Sequence, residues 1–416
     1  MRFIHTADWH LGRLFHGVHL TEDQRYALLQ LVDLVRETKP DAVLVAGDIY
    51  DRAIPPPEAV ELLDEVLCKI VLEAKVPVVL IAGNHDSPHR LNFGSRLLKD
   101  NRLYVTGQMT AAIRPVTFAD AFGEVRVYPV PYAEPATVRE ALGDGAGPCV
   151  CHDSAMREVC GRIRAGHEGG RSIMVGHAFV MGGAECESER PLSVGGAGTV
   201  AAGHFAGFDY VALGHLHAPQ TIWNGERREA SNDGSTPTPV ESDRGASLVS
   251  RSIATQVRYS GSLLKYSFDE ADQAKGVYVV EMDGDGRCAV ESIHLTPKRD
   301  VRRVSGTMAD LLAGDGDGKS RDDYVEVTIL DDGPVIDPVG RLRQVYPNVM
   351  QIKRPERAGG PVAADRIDVR GKTAVELFSS FFKHVRGDEL SADQEVALRG
   401  VVDELARKER EALITA

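Results

Sequence analysis

The stretch DAVLVAGDIYD, Asp41–Asp51, sets a pattern that the rest of the chain repeats. Its residues from Ala42 to Ala46 are small or branched and apolar, which is typical of a strand buried in the middle of a sheet. Gly47 ends this strand, and Asp48 follows in the loop. Polar residues at the end of a buried strand are where α/β proteins place their chemistry. We therefore predict that Asp48 is a functional residue.

The same order of residues, an apolar strand followed by a small residue and then Asp, Asn or His, occurs at four other places. These are Arg2–Thr6 before Asp8 and His10, Val76–Ala82 before Asn84 and His85, Ser172–Val175 before His177, and Asp209–Leu213 before His215 and His217. Amphipathic helices are predicted between the first three strands, at Thr21–Lys39 and Glu58–Leu72. This alternation predicts an α/β fold with a largely parallel sheet and helices on its faces.

The side chains at these strand ends fit a pair of divalent cations. Two such ions roughly 3.5–4 Å apart can clamp a phosphate and activate a water molecule. Nitrogen and oxygen donors without a thiolate favour manganese, iron or zinc over magnesium or calcium. We predict that Asp48 bridges both ions. The remaining predicted ligands are Asp8, His10 and His217 for one ion, and Asn84, His177 and His215 for the other.

His85 directly follows a predicted ligand and is expected to face bound substrate. There it would stabilise the transition state or protonate the leaving oxygen. The alternative is that His85 orients a metal ligand from behind. Asp51 and Asp86 are predicted to hold the ligands in place without a direct catalytic role.

The composition restricts the class of protein. The 416 residues suggest two or three domains, and the net charge of −13 argues against holding nucleic acid by broad charge attraction alone. No apolar run is long enough for a transmembrane helix and the N-terminus lacks a signal-peptide pattern, so we expect a cytoplasmic protein without a membrane partner. Two other possible sites are not supported. Cys149, Cys151 and His152 lack the second pair of ligands that a structural zinc site needs. Gly371-Lys372-Thr373 lacks the first glycine of a P-loop, so we predict no nucleotide site there.

The second half of the chain predicts further units. We place a catalytic domain at 1–297, with a polar surface loop at 226–257, and a small domain at 298–356. The small domain contains a βαβ unit, predicted at Tyr324–Leu330, Asp337–Tyr346 and Val349–Lys353. The segment 357–416 is predicted to be helical, with capping boxes at Thr373 and Ser391 and apolar stripes free to meet a partner.

Taken together, the motifs resemble the calcineurin-like metallophosphoesterases, and within them the SbcD family. The wider pattern appears as Asp8-Trp9-His10, Gly47–Asp51, Gly83–Asp86, Gly176-His177 and Gly214–His217. The narrower likeness lies in HTADWHLG (His5–Gly12), VAGDIYDR (Val45–Arg52), AGNHDS (Ala82–Ser87), DYVALGHLH (Asp209–His217), and RYSGS and YSFDE within Arg258–Glu270.

The resemblance implies a metallophosphoesterase β-sandwich flanked by helices, with a small βαβ capping domain and C-terminal helices. It also implies a manganese-dependent exonuclease and endonuclease that acts on DNA ends and hairpins in DNA repair and recombination. Such proteins work as a homodimer within a heterotetramer, with a coiled-coil ATPase partner of the SbcC type. The C-terminal helices would dock on the coiled coil of that partner.

Two other functions stay open at this point. One is a metal-dependent phosphodiesterase or phosphatase that acts on a small substrate, although such an enzyme needs neither the small domain nor the C-terminal helices. The other is a non-catalytic scaffold that holds DNA ends, although a scaffold has no reason to keep all seven ligand positions filled.

Overall fold

The computed structural model describes residues 1–143, 147, 149–189, 198–224, 255–314, 320–355 and 373–415. The loop predicted at 226–257 lies outside the described residues up to position 254, and its last two positions already belong to a strand. Positions 371–372 of the rejected P-loop motif also lie outside them.

The described strands and helices are numbered in chain order. The strands are β1 (Arg2–Thr6), β2 (Leu14–Phe15), β3 (Val18–His19), β4 (Ala42–Val45), β5 (Val78–Ile81), β6 (Leu103–Thr106), β7 (Val116–Asp120), β8 (Gly123–Val130), β9 (Arg171–His177), β10 (Phe179–Val180), β11 (Thr199–Val200), β12 (Tyr210–Gly214), β13 (Gln220–Asn224), β14 (Gln256–Tyr259), β15 (Gly276–Met282), β16 (Cys288–His294), β17 (Val301–Gly306), β18 (Tyr324–Ile329) and β19 (Val349–Lys353). The helices are α1 (Thr21–Thr38), α2 (Pro57–Leu67), α3 (Pro88–Leu91), α4 (Ser95–Leu98), α5 (Pro135–Leu142), α6 (His152–Gly166), α7 (Met308–Ala313), α8 (Pro338–Leu342), α9 (Ala374–Arg386) and α10 (Ala392–Thr415).

Two six-stranded sheets face each other and form the predicted sandwich. The strand order is β16-β15-β1-β4-β5-β6 in the first sheet and β13-β14-β12-β9-β8-β7 in the second. Apolar side chains of both sheets fill the space between them, among them Phe3, Leu44, Ile173 and Tyr210. The predicted α/β class and sandwich architecture are confirmed.

Helices cover only the outer face of each sheet, because the inner face packs against the other sheet. Leu28 and Leu31 of α1 and Leu62 of α2 pack on the first sheet. Val159 and Ile163 of α6 pack on the second. The expectation of helices on both faces of one sheet was therefore wrong.

The predicted parallel pairing holds for four neighbouring strands of each sheet. Strands β1, β4, β5 and β6 are parallel, as are β8, β9, β12 and β14. Strands β15, β16, β7 and β13 pair antiparallel. The parallel strands matter for the site, because their carboxyl ends lie at the same edge.

The small domain has one strand and one helix more than predicted. Strands β17, β18 and β19 form a parallel sheet in that order, with α7 and α8 as the connections. The sequence VRRVSG of β17 conceals the strand because it has no apolar run. The domain limits proposed at 297 and 356 stay a prediction.

Contacts to one buried carboxylate join the small domain to the catalytic domain. The Arg299 guanidinium contacts both carboxylate oxygens of Asp23 on α1, at 2.9 and 2.5 Å. The Tyr324 hydroxyl donates to the same carboxylate over 3.0 Å. Asp23 is buried, so these contacts tie β18 and the segment before β17 to α1.

Both predicted C-terminal helices are present as α9 and α10. Thr373 caps α9 through the capping box with Glu376. Across the described parts of the chain, we find no helix with the length and apolarity needed to span a bilayer.

Candidate metal centre

The predicted ligands lie together at one edge of the sandwich. Asp8, His10, Asp48 and Asn84 follow the carboxyl ends of β1, β4 and β5, which are neighbours in the first sheet. His177 ends β9, and His215 and His217 follow β12, its neighbour in the second sheet. All of them are buried except Asn84, which is half-buried. The site therefore spans the seam between the two sheets.

The backbone at these strand ends has an unusual conformation. The φ angles are +52° at Asp8, +45° at His10, +48° at Asp48 and +108° at His215. Positive φ is costly for residues with a Cβ and is concentrated at functional sites. These turns let consecutive polar residues leave the strand ends toward one point.

Glycines before the ligands allow the loops to approach each other. A Cβ added to Gly83 would lie 2.1 Å from Oδ1 of Asp48, and one added to Gly214 would lie 2.0 Å from the carbonyl oxygen of Ala46. Any side chain here would push a ligand loop out of place. This explains the small residue in the repeated sequence pattern.

One half of the centre gathers Asp8, His10, Asp48 and His217. Nε2 of His10 lies 3.0 Å from Nε2 of His217 and 3.6 Å from Oδ2 of Asp48. The candidate ligand atoms of Asp8, His10 and His217 all lie within 4.8 Å of one another. The four side chains predicted for the first ion therefore lie together, and their binding of an ion stays a prediction.

The other half gathers Asp48, Asn84, His177 and His215. Oδ1 of Asn84 lies 2.8 Å from Nε2 of His177 and 3.2 Å from Nδ1 of His215. Nε2 of His177 lies 3.5 Å from Oδ2 of Asp48. Oδ2 of Asp48 thus faces both halves, as expected of a bridging carboxylate.

The protonation of the rings fits a cation between these atoms. Nδ1 of His177 lies 2.9 Å from the carbonyl oxygen of Ala46, which can only accept, so this nitrogen carries the proton. Burial lowers the pKa of His177, so the ring is neutral. Its Nε2 therefore carries a lone pair, which is directed at the amide oxygen of Asn84. A ring nitrogen and an amide oxygen that face each other over 2.8 Å are a pair of donors that one cation can share.

The protonation of the other predicted ligands also fits a site for cations. Burial raises the pKa of Asp8 well above its ordinary value, and the nearby Asp48 carboxylate raises it further. Burial lowers the pKa of His10, His215 and His217 well below the ordinary value, so these rings are neutral. Neutral imidazoles beside two buried carboxylates form a donor set for divalent cations.

The structure places His85 beside the bridging carboxylate. Its backbone N–H donates to Oδ1 of Asp48 over 2.9 Å. Its ring Nδ1 donates to the backbone carbonyl of Asp51 over 2.8 Å, which leaves Nε2 available for a proton. The ring is half-buried and 4.7 Å from that of His10, measured between centroids.

Asp51 and Asp86 lie behind the ligands. The carboxylate of Asp86 accepts the backbone N–H groups of Ile49, Tyr50 and Gly83, at 3.0, 2.9 and 2.9 Å, and so joins two ligand loops. Burial raises the pKa of Asp86 to about 7. Oδ1 of Asp51 lies 3.7 Å from Nδ1 of His10 and 3.1 Å from the guanidinium of Arg13.

Sequence patterns did not reveal the residues that contact the far side of His217. Ser188 and Glu270 form hydrogen bonds there, and Lys275 pairs with Glu270. Glu270 ends the YSFDE segment already noted as part of the family likeness, whereas nothing around Ser188 distinguishes it from an ordinary loop serine.

Family models identify the class. The model of the calcineurin-like phosphoesterases matches residues 1–140, and a model described as the type 5 capsule protein repressor C-terminal domain, the SbcD C-terminal domain, matches residues 297–386. The chain is thus a calcineurin-like phosphoesterase, a metal-dependent phosphoester hydrolase whose fold binds two divalent metal ions. With its C-terminal domain, it belongs to the SbcD-type metallophosphoesterases.

Solved structures are similar at low identity. A dimetal phosphatase from Danio rerio has a TM-score of 0.38 and 13% identity, covering 70% of this chain and 98% of its own. The protein TT1561 of Thermus thermophilus has a TM-score of 0.36 and 13% identity, covering 70% and 98%. GAP50, the anchor in the inner membrane complex of Plasmodium, has a TM-score of 0.37 and 10% identity, covering 87% and 99%.

Proposed function

We propose that this chain is a nuclease subunit that hydrolyses phosphodiester bonds at DNA ends and hairpins, in DNA repair and recombination. The observation that carries the proposal is the occurrence, in one chain, of a complete donor set for two cations and an SbcD-type C-terminal domain. An enzyme for small phosphate esters needs the first feature but has no use for the second.

When bound, two divalent ions would hold the phosphate and activate the attacking water. Asp8, His10, Asp48 and His217 would hold one ion, and Asp48, Asn84, His177 and His215 the other. His85 is placed to act on the substrate itself, because its Nδ1 is held by the carbonyl of Asp51 and its Nε2 is left to exchange a proton. We propose that it protonates the leaving oxygen or stabilises the negative charge that develops on the phosphate.

Manganese is the metal we propose. The centre offers four imidazoles, two carboxylates and one amide oxygen, and it has no thiolate ligand among the described residues. Imidazoles suit iron and zinc, and carboxylate and amide oxygens suit manganese, so this mixed set favours these metals over magnesium and calcium, which take oxygen ligands.

The test compares substrates with manganese present. The full chain is given a hairpin DNA, a blunt duplex, a cyclic nucleotide and a nitrophenyl phosphate ester, with the Asp48→Ala variant as the control for contaminating nucleases. We expect the wild-type chain to hydrolyse both DNA substrates and the Asp48→Ala variant to hydrolyse neither. Activity confined to the small esters would support the small-substrate enzyme, and DNA binding without hydrolysis of any substrate would support the scaffold.

We further propose that the C-terminal helices bind a coiled-coil ATPase of the SbcC type, in a complex that contains two copies of this chain. Phe378, Phe381 and Val385 on α9 and Val396 and Val401 on α10 have exposed side chains, with exposed fractions between 44 and 72%. A helical partner that covers them would bury apolar surface otherwise left in water.

Replacing Phe378 and Phe381 together by Glu should abolish co-purification with the ATPase while leaving the metal content unchanged. The matched control is Ile336→Glu, because Ile336 is 87% exposed but lies in the small domain. Equal loss of the partner in both variants would contradict the assignment to α9. The mass of the wild-type complex in light scattering tests for two copies.

A further inference from the structure

The hydroxyl of Ser188 lies between the metal ligand His217 and the buried carboxylate of Glu270. Oγ of Ser188 is 2.5 Å from Nδ1 of His217 and 2.6 Å from Oε1 of Glu270. Glu270 is fully buried, and Ser188 is half-buried at the end of the described segment 149–189. The three groups therefore form a continuous chain of hydrogen bonds leading away from the metal centre.

The direction of these bonds follows from the number of protons available. A serine hydroxyl has one hydrogen, and a carboxylate oxygen can only accept, so Ser188 donates to Glu270. The oxygen of Ser188 then has only its lone pairs left for His217. Nδ1 of His217 must therefore carry the proton of the neutral ring and donate it to Ser188.

The opposite nitrogen of the ring is consequently the one that faces the metal centre with a lone pair. Nε2 of His217 is 3.0 Å from Nε2 of His10. If the proton were on Nε2 instead, His217 would direct a hydrogen into the site and could not bind a cation. The choice between the two tautomers thus decides whether His217 is a ligand.

Lys275 and Ser267 also contact Glu270 and fix its position. The ammonium group of Lys275 lies 2.6 Å from Oε2 of Glu270 and donates to the backbone carbonyl of His217 over 2.7 Å. The hydroxyl of Ser267 is 2.6 Å from Oε1 of Glu270. The backbone N–H of His217 donates to Glu189 over 2.5 Å, so both the ring and the main chain of His217 are held from the same side.

From this geometry we infer that Ser188 and Glu270 are positioning residues, which keep His217 in the tautomer that binds a metal ion. The inference rests on the proposed metal centre and adds to it the groups that orient one of its ligands. Outer groups that fix the tautomer of a ligating histidine typically contribute 10- to 100-fold to metal affinity. We expect a loss of about this size, confined to the half of the centre that contains His217.

The experiment compares Ser188→Ala, Ser188→Thr and Ser267→Ala in the full chain. Ser188→Ala removes the hydroxyl between His217 and Glu270, and Ser188→Thr keeps one. Ser267→Ala is the matched control, because it removes a hydroxyl that contacts Glu270 but for which the structure shows no bond to His217. Two quantities are measured: the protonated nitrogen of His217 by ¹⁵N-histidine NMR of the metal-free protein, and the affinity of each of the two sites by manganese titration.

The expected result is an Nδ1–H ring in the wild type, in Ser188→Thr and in Ser267→Ala, with two tight manganese sites in each. Ser188→Ala should show a mixture of tautomers and one site weakened about 10- to 100-fold. A wild-type ring protonated on Nε2, or a Ser188→Ala variant with an unchanged ring and unchanged affinities, would overturn the inference. An equal loss of affinity in Ser267→Ala would overturn it too, since the effect would then be a general disturbance of Glu270.

Neither measurement involves DNA, so the inference and the proposed nuclease activity fail in different ways. A wild-type protein that binds two ions but cleaves no DNA removes the proposed substrate and leaves the role of Ser188 intact. A wild-type protein that cleaves DNA while Ser188→Ala is unchanged in ring and affinity removes the role of Ser188 alone.

Discussion

The backbone N–H of His85 donates a hydrogen bond to Oδ1 of Asp48 over 2.9 Å. This bond occupies one oxygen of the predicted bridging carboxylate and leaves the other, Oδ2, facing His10 at 3.6 Å and His177 at 3.5 Å. A single oxygen of Asp48 is thus available to both halves of the metal centre. The same bond fixes the position of His85 relative to the atom that both ions would share.

Asp48→Ala should remove both metal ions, because Oδ2 of Asp48 faces His10 in one half of the centre and His177 in the other. Metal content is measured by elemental analysis after dialysis, and nuclease activity is measured on hairpin DNA. Asp33→Ala serves as the control, since the side chain of Asp33 on α1 is 67% exposed and is not a predicted ligand. Two bound ions, or near-wild-type cleavage, in Asp48→Ala would show that Asp48 is not the bridge.

His85→Ala should leave both ions bound and lower the turnover number by about 10²- to 10⁴-fold, the usual contribution of a general acid or base. The reason is that the backbone N–H of residue 85, which holds Asp48, survives the substitution. His89→Ala is the matched control, because His89 is exposed and lies outside the centre. Loss of metal from His85→Ala would favour the alternative in which this ring orients a ligand.

Gly83→Ala should displace the ligand loops. The added Cβ would lie 2.1 Å from Oδ1 and 2.3 Å from the backbone nitrogen of Asp48, a distance at which the neighbour must move. We expect a loss of about 1–3 kcal/mol in the free energy of unfolding, as for other overpacked sites, together with weaker metal binding. Both are measured by urea denaturation and manganese titration.

Gly161→Ala provides the comparison for this substitution. Gly161 lies inside α6, and an added Cβ would meet nothing within 4 Å. Alanine is the better helix former by roughly 0.5–1 kcal/mol, so this variant should be as stable as the wild type or more stable. Similar losses in the two glycine variants would show that the crowding at Gly83 is not the cause.

Arg299→Ala should loosen the small domain from the catalytic domain. The carboxylate of Asp23 would stay buried without its guanidinium partner, which typically costs about 3 kcal/mol. Lys298→Ala removes the neighbouring but exposed pair with Glu22 and should cost less than about 1 kcal/mol. Thermal unfolding and proteolysis near residue 299 measure the difference. Equal losses of stability in the two variants would show that the buried carboxylate of Asp23 does not hold the small domain in place.

His5 should make the fold less stable as the pH falls. Burial lowers the pKa of His5 to about 3, and its ring contacts the hydroxyl of Tyr210 and the carbonyl of Leu213. The unfolded chain takes up this proton below about pH 6.5, whereas the folded chain does so only near pH 3. The contribution of His5 is therefore complete above pH 6.5 and is lost by up to about 1.4 kcal/mol per pH unit between these values.

Urea denaturation of the metal-free protein between pH 5 and 8 tests this dependence. His5→Gln should have a flatter stability profile than the wild type on the acidic side, because glutamine has no proton to gain. The substitution of an exposed histidine, His294→Gln, should leave the slope unchanged. An unchanged slope in His5→Gln would mean that His5 is not buried as a neutral ring.

The sequence was sufficient to predict the five strands that precede the candidate ligands, because each of them is a short apolar run that ends at a small residue. It did not predict β6, β7, β13 or β16, which lie toward the edges of the two sheets. It was not sufficient for β17, whose VRRVSG sequence has two adjacent arginines between its valines and no apolar run. The buried charge of Arg302 in this strand pairs with Asp323, which lies 3.0 Å away in the folded chain.

The finer parts of the centre depend on contacts between distant residues. Nothing in the residue types near Asp8 or His10 predicts a positive φ, which follows from the convergence of several loops. Ser188 is another example, because its role comes from His217 and Glu270, which are 29 and 82 residues further along the chain. Such roles can be assigned only after the fold has brought these residues together.

Each predicted ion would take donors from both sheets of the sandwich, since His217 joins three residues of the first sheet and Asn84 joins two histidines of the second. Binding of the two ions would therefore link the two sheets through metal–ligand bonds. An ion that binds only the folded chain adds about 2.7 kcal/mol to stability at a hundredfold excess over its dissociation constant. A chelator that removes the ions would then lower the free energy of unfolding. In a cell that lacks the cation, the protein would be less stable as well as inactive.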